Sequence, residues 1–101
     1  MHIVLITAPC DRADDLARSL VAERCCACVN VVPRVTSHYL WEGQQEEDAE
    51  ALLIAKVAAD RLEDFTARVR ALHPYAVPEI LALAPTGGNP DYIAWVRRGG
   101  G

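Results

Sequence analysis

The densest concentration of reactive side chains lies in Leu72-His73-Pro74-Tyr75-Ala76-Val77-Pro78-Glu79-Ile80, where two prolines stiffen a short loop around an imidazole, a phenol and a carboxylate. A histidine with a carboxylate can ligate a metal or move a proton near neutral pH, and a tyrosine hydroxyl adds a hydrogen-bond donor. The same residues have a structural use: the prolines set the turn, His73 caps the preceding helix and Tyr75 packs. Trp41, in Trp41-Glu42-Gly43, suits an interface anchor or the wall of a ligand cleft. Lys56 closes an otherwise apolar strand, so it must reach an anion, snorkel to solvent or pair with a carboxylate, for which Glu79 is the expected partner.

Three of the four cysteines crowd into Cys25-Cys26-Ala27-Cys28 at a helix-to-strand junction. The C-x-x-C there lacks a second ligand pair for zinc and follows a helix instead of opening one, so reduced thiols acting as small hydrophobes are expected. Cys10 is better placed for reactivity, where a strand gives way to a helix whose dipole favours thiolate. No phosphate-binding glycine loop, dinucleotide fingerprint or nucleophile elbow accompanies these residues, which points away from an enzyme.

The elements that position this chemistry are readable from periodicity. Ile3 to Ala8 is a continuous apolar run ended by Pro9, as in a strand buried on both faces. From Asp11 the spacing becomes helical through Leu16, Leu20 and Val21, ending near Arg24, with acidic residues in the first turn. Residues 27–32 and 35–41 then read as strand, Glu42 to Gln45 as a turn, and Glu50 to Val57 as the returning strand of one long hairpin. Strands of about 14 residues span roughly 45 Å, whereas a domain of this size has a radius of gyration of about 13 Å, so the tip must project. Asp60 with Glu63 predicts the N-terminus of a second helix that Pro74 stops; Glu79 to Ala84 predicts a fourth strand; and Asn89-Pro90 predicts the cap of a short last helix.

This order, βαββαβ plus a terminal helix, is the α+β ferredoxin-like sandwich, with both helices on one face of an antiparallel sheet. Residues 1–98 form a single domain in this reading, and Gly99–Gly101 a flexible tail. Alternation along 50–57 leaves apolar residues on both sheet faces, and the helices cover only one. The uncovered face and the projecting aromatic tip predict self-association. A net charge of −4 and a pI near 5.2 argue against nucleic-acid partners, no window is long enough to span a membrane, and the expected location is the cytoplasm.

Four stretches in the right order, Ala27-Cys28-Val29-Asn30-Val31-Val32-Pro33, Ser37 to Gly43 ending Trp-Glu-Gly, Leu72-His73-Pro74-Tyr75 with Pro78-Glu79-Ile80, and Asp91-Tyr92-Ile93-Ala94-Trp95, resemble the CutA divalent-cation tolerance family over nearly the whole chain. The resemblance implies a ferredoxin-like fold similar to PII signalling proteins, a tight homotrimer, and a link to tolerance of copper or another divalent cation. It also implies a cleft between subunits where Trp41, Lys56, His73, Tyr75 and Glu79 bind ligand, with His73 as the metal ligand. Where some members have a cysteine before Thr-Ala-Pro this chain has Ile6, and where they have two histidines it has Leu72-His73, so one of three ligands survives, and Cys10 is the candidate substitute. The alternative function is a PII-like signalling protein that binds a small anionic effector in that cleft.

Overall fold

A computed structural model describes residues 1–101. Its elements are β1 (His2–Ala8), α1 (Ala13–Ala22), β2 (Cys28–Trp41), β3 (Gln44–Val57), α2 (Leu62–Leu72), β4 (Ile80–Leu83) and α3 (Pro90–Arg97), with a 3-10 turn at Ala59–Arg61. The strands form one antiparallel sheet in the order β2-β3-β1-β4, so α1 and α2 each carry the chain across an intervening strand. That is the ferredoxin-like order read from the sequence.

The core follows the alternation of the strands. Val4, Ile6 and Ala8 of β1 and Ala51, Leu53, Ala55 and Val57 of β3 point toward α1 and α2, whose Leu16, Leu20, Phe65 and Val69 complete the buried cluster. Phe65 is wholly buried, the largest such side chain. Cys25 and Cys26 belong to the same cluster, and burial pushes the Cys26 thiol up to about 12, so it behaves as a small hydrophobe. The opposite sheet face carries Ile3, Leu5, Leu52, Ile54, Leu81 and Leu83, and the last two are more than half exposed.

β2 and β3 are 14 residues each and stretch the protomer to 44 × 27 × 23 Å, with a radius of gyration of 14.1 Å. A two-residue turn joins them: Glu42 and Gly43 both have positive φ, 51° and 79°, the primed geometry whose twist matches an antiparallel ribbon. β3 therefore starts at Gln44, six residues before the expected Glu50. Cross-strand pairing with residues 35–41 holds this polar stretch extended despite its weak strand preference. One extra residue on β2 between Val32 and Val35 forms a bulge at Pro33-Arg34, where a missing N–H is tolerated. The bulge resets the alternation, so that Val35, Ser37, Tyr39 and Trp41 lie on the same sheet face as Cys28, Asn30 and Val32.

Three boundaries differ from expectation. The 3-10 turn absorbs Asp60, and α2 starts after Arg61 with no side-chain cap. β4 omits Glu79 and Ala84. The first two residues of the glycine tail close α3: Gly99 N–H donates to Val96 O and Gly100 N–H to Trp95 O, both at 2.9 Å, a Schellman motif, while Gly101 is exposed. Gly100 has φ +78°, and a Cβ there would meet Ala27 O at 3.0 Å, so the glycine is required by a close approach. Asn89 caps α3 as expected, its side chain accepting from Asp91 N–H at 3.0 Å.

Candidate functional site

The hairpin and the loop after α2 enclose a groove of about 660 Å³. Register explains its walls. Tyr39 lies opposite Glu46, Ser37 opposite Asp48 and Val35 opposite Glu50, so period-two alternation turns the tyrosine and these carboxylates to one face. Tyr75 and Glu79 close the groove from the loop, Trp41 from near the hairpin tip, and Thr7 from the end of β1.

His73 builds the loop side. Its backbone N–H donates to Val69 O and ends α2. Its ring lies 2.8 Å from Thr7 O through Nε2 and 3.1 Å from Tyr75 N–H through Nδ1. A backbone N–H can only donate and a carbonyl can only accept, so Nδ1 is the bare nitrogen and Nε2 carries the hydrogen that it donates to Thr7. The ring is 7% exposed and stacks at a tilt on Tyr75, centroids 4.8 Å apart. Both ring nitrogens are therefore engaged in the metal-free protomer, and His73 could ligate a metal or move a proton only by giving up one of these backbone partners.

Tyr75 in turn donates its hydroxyl to Glu50 Oε2 at 2.9 Å. Glu50 is 8% exposed, and this is its one side-chain hydrogen bond, which leaves Oε1 for a bound group in the groove. Burial and then the bond to Glu50 push the Tyr75 phenol up to about 12, while a hydrogen bond to Asp48 does the same for Tyr39. Both hydroxyls stay protonated donors across the physiological range. A raised folded-state value means that the hydrogen bond stabilises fully below pH 10.0, the ordinary value, and that this stabilisation disappears as pH rises toward about 12. Denaturant midpoints of the wild type should therefore fall over that interval more steeply than those of Tyr75→Phe. Parallel curves would show that the Glu50 bond does not form.

Of the sequence candidates, Trp41, Tyr75 and Glu79 line the groove directly, and His73 supports it from behind. Lys56 does not join them within a protomer. It lies near the opposite end of β3, paired in register with Cys28 and Ile3, and its ammonium donates to Asn30 Oδ1 instead of meeting Glu79. Cys10 is exposed and lies before α1. Glu46 and Glu50 were not singled out by sequence reading, although their two-residue spacing on the strand facing Tyr39 and Trp41 is the signal that could have found them.

Comparison with known proteins settles the kinship. The family described as CutA1 divalent ion tolerance protein matches residues 2–99. The chain belongs to this family. A divalent-cation tolerance protein CutA of Thermus thermophilus is 47% identical over 101 residues, covering 99% of this chain and 98% of that one. A CutA homolog of Xenopus laevis is 46% identical over 92 residues, 90% of this chain but 61% of its own length. Among solved structures, the Thermus thermophilus Cut A1 superposes with a TM-score of 0.93 at 46% identity, covering 98% of both chains. A protein described as PII-like CutA from Nostoc sp. PCC 7120 superposes at 0.94 with 34% identity, covering 98% of this chain and 96% of that one.

The divalent cation in the CutA1 family description can be tested against these residues. No three His, Cys, Asp or Glu side chains converge as a metal-binding group within one protomer, and His73 has no free nitrogen. The donors that face an open volume are the carboxylates of Glu46, Glu50 and Glu79, hard oxygen ligands flanked by aromatic walls, and the exposed imidazole of His38, whose Nδ1 lies 3.3 Å from Glu47.

Proposed function

We propose that this CutA1 family member is a cytoplasmic homotrimer that serves divalent-cation tolerance by binding, not catalysis, and that it takes a metal ion or small positively charged ligand in the hairpin groove. The observation that carries this reading is the groove itself: three carboxylates, the rings of Tyr39, Trp41 and Tyr75 and the imidazole of His38, with no lysine or arginine in its lining. Such a site attracts cations through charge and through the faces of its rings. Assembly supplies what one chain lacks, because apposed copies can bring further donors to a metal that Glu50 anchors. Copper(II), for which carboxylate and imidazole are suitable ligands, is the first ion to test.

Calorimetric titration of the reduced, metal-stripped protein with copper(II) should give saturable binding that Glu50→Gln weakens by about tenfold, the loss of one charge-assisted contact. Binding indifferent to Glu50→Gln would remove the groove as the cation site. The second reading, a PII-like site for a small anionic effector, draws support from the description of the Nostoc relative. The carboxylates oppose an anion in this groove, so nucleotides and organic anions should cause no rise in thermal stability that depends on groove residues, and a rise abolished by Trp41→Ala would favour the second reading.

A further inference from the structure

Part of the chain's exposed positive charge is gathered in one place. At the end of the sheet away from the groove, α1, the 3-10 turn and α3 bring Arg24, Arg61, Arg97 and Arg98, four of the nine arginines, around one pocket of about 150 Å³. Asp60 is the single carboxylate in its lining. The protein carries 14 acidic residues against 10 basic ones; Arg18 pairs with Asp15 and Arg68 with Glu23, while the four pocket guanidiniums, like those of Arg12, Arg34 and Arg70, are in no ion pair. All four are exposed, so water and salt screen part of their mutual repulsion, and a multivalent anion between them would relieve what remains.

Local helix electrostatics accounts for only half of the cluster. Arg97 and Arg98 end α3, where a cation is favoured. Arg61 instead precedes the first turn of α2, the end where a positive charge is disfavoured. Arg24 occupies the position after α1 that closes a Schellman motif, Arg24 N–H to Val21 O at 3.0 Å and Cys25 N–H to Leu20 O at 2.9 Å, with φ 60°, where glycine is usual. Two arginines thus stand where their own backbone surroundings would select against them.

We propose that this pocket is a binding site for a phosphate-type oxyanion, an inorganic phosphate or the phosphoryl group of a small metabolite, distinct from the acidic groove. Planar guanidinium forks match the paired oxygens of a phosphoryl group, and the Schellman closure at Gly99 and Gly100 fixes Arg97 and Arg98 beside the segment that carries Arg24. An anion here neutralises the repulsion and ties together the ends of α1 and α3, whereas the groove at the other end takes a cation.

The test is calorimetry of inorganic pyrophosphate into the full chain at constant ionic strength. Saturable binding is expected, weakened about tenfold by Arg61→Gln or Arg98→Gln and unchanged by Arg18→Gln or Glu50→Gln. Arg24→Gly should weaken binding without lowering the melting temperature, a combination that a purely structural arginine would not give. Bound pyrophosphate should also protect these four arginines, and not Arg18, from phenylglyoxal in the wild-type protein. Absence of saturable binding at millimolar pyrophosphate, or equal weakening by Arg18→Gln, would overturn the proposal.

Discussion

Ile54→Asp is expected to convert the proposed trimer to a monomer at micromolar concentration, read by sedimentation velocity. Ile54 sits mid-strand on the sheet face opposite α1 and α2, between Leu5 of β1 and Asn30 of β2 in the register. Leu81 is 57% exposed and Leu83 52% exposed on the same face of a single protomer, a contiguous aliphatic surface of a kind that native proteins bury. A carboxylate placed at its centre must be desolvated without a partner if copies pack there. In the proposed trimer symmetry multiplies the effect, because the substitution is carried three times. Even about 2 kcal/mol per site sums to roughly 6 kcal/mol, about four orders of magnitude in the assembly constant. An exposed substitution such as Arg70→Asp, on the outer side of α2, should leave the sedimentation coefficient unchanged. A wild type that sediments as a monomer would remove the proposed trimer, and an Ile54→Asp protein that stays trimeric would place the contact elsewhere.

What could be read before the structure, and what could not, divides along the range of the interactions involved. The apolar run at Ile3–Ala8, the amphipathic face of α1 and the Asn89-Pro90 cap are decided by neighbours a few residues away, and each stands where the periodicity put it. The distal half of β3 is different: Gln44 to Ala49 has little intrinsic reason to be extended, and only its partners 35–41 make it so. The glycine tail looked free because nothing local marks it, yet Ala27, more than 70 residues away, makes Gly100 a fitted residue. The site shows the same division. Tyr75, Glu79 and Trp41 announced themselves by type and loop context. The occupation of both His73 nitrogens depends on Thr7, 66 residues earlier, and no local pattern reports it. The arginine pocket is gathered from three separate segments and has no motif at all.

His73→Ala is expected to destabilise the protein by about 2–4 kcal/mol while removing no donor atom that a metal could use. The wild-type ring closes a chain of contacts from the end of β1 to the groove: Thr7 O accepts from Nε2–H, Nδ1 accepts from Tyr75 N–H, and the Tyr75 hydroxyl donates to Glu50. Deleting the ring leaves the Thr7 carbonyl and the Tyr75 N–H short of a partner and opens a void where a 93%-buried side chain had been, since only 7% of it is exposed. Each orphaned group alone accounts for about 1–3 kcal/mol when water cannot reach it. Partial solvation from the adjacent groove keeps the sum below that of two fully buried losses. His73→Gln provides the contrast, because its amide nitrogen can still donate toward Thr7 and should recover part of the stability in urea titrations. A ligand role and a positioning role then separate cleanly. If His73 only positions Tyr75, copper affinity per folded molecule should follow the stability series, with His73→Gln between wild type and His73→Ala. If copper binding vanishes equally in both variants while stability differs, the imidazole leaves its two backbone partners to coordinate the metal, and the occupied nitrogens seen here describe only the metal-free state.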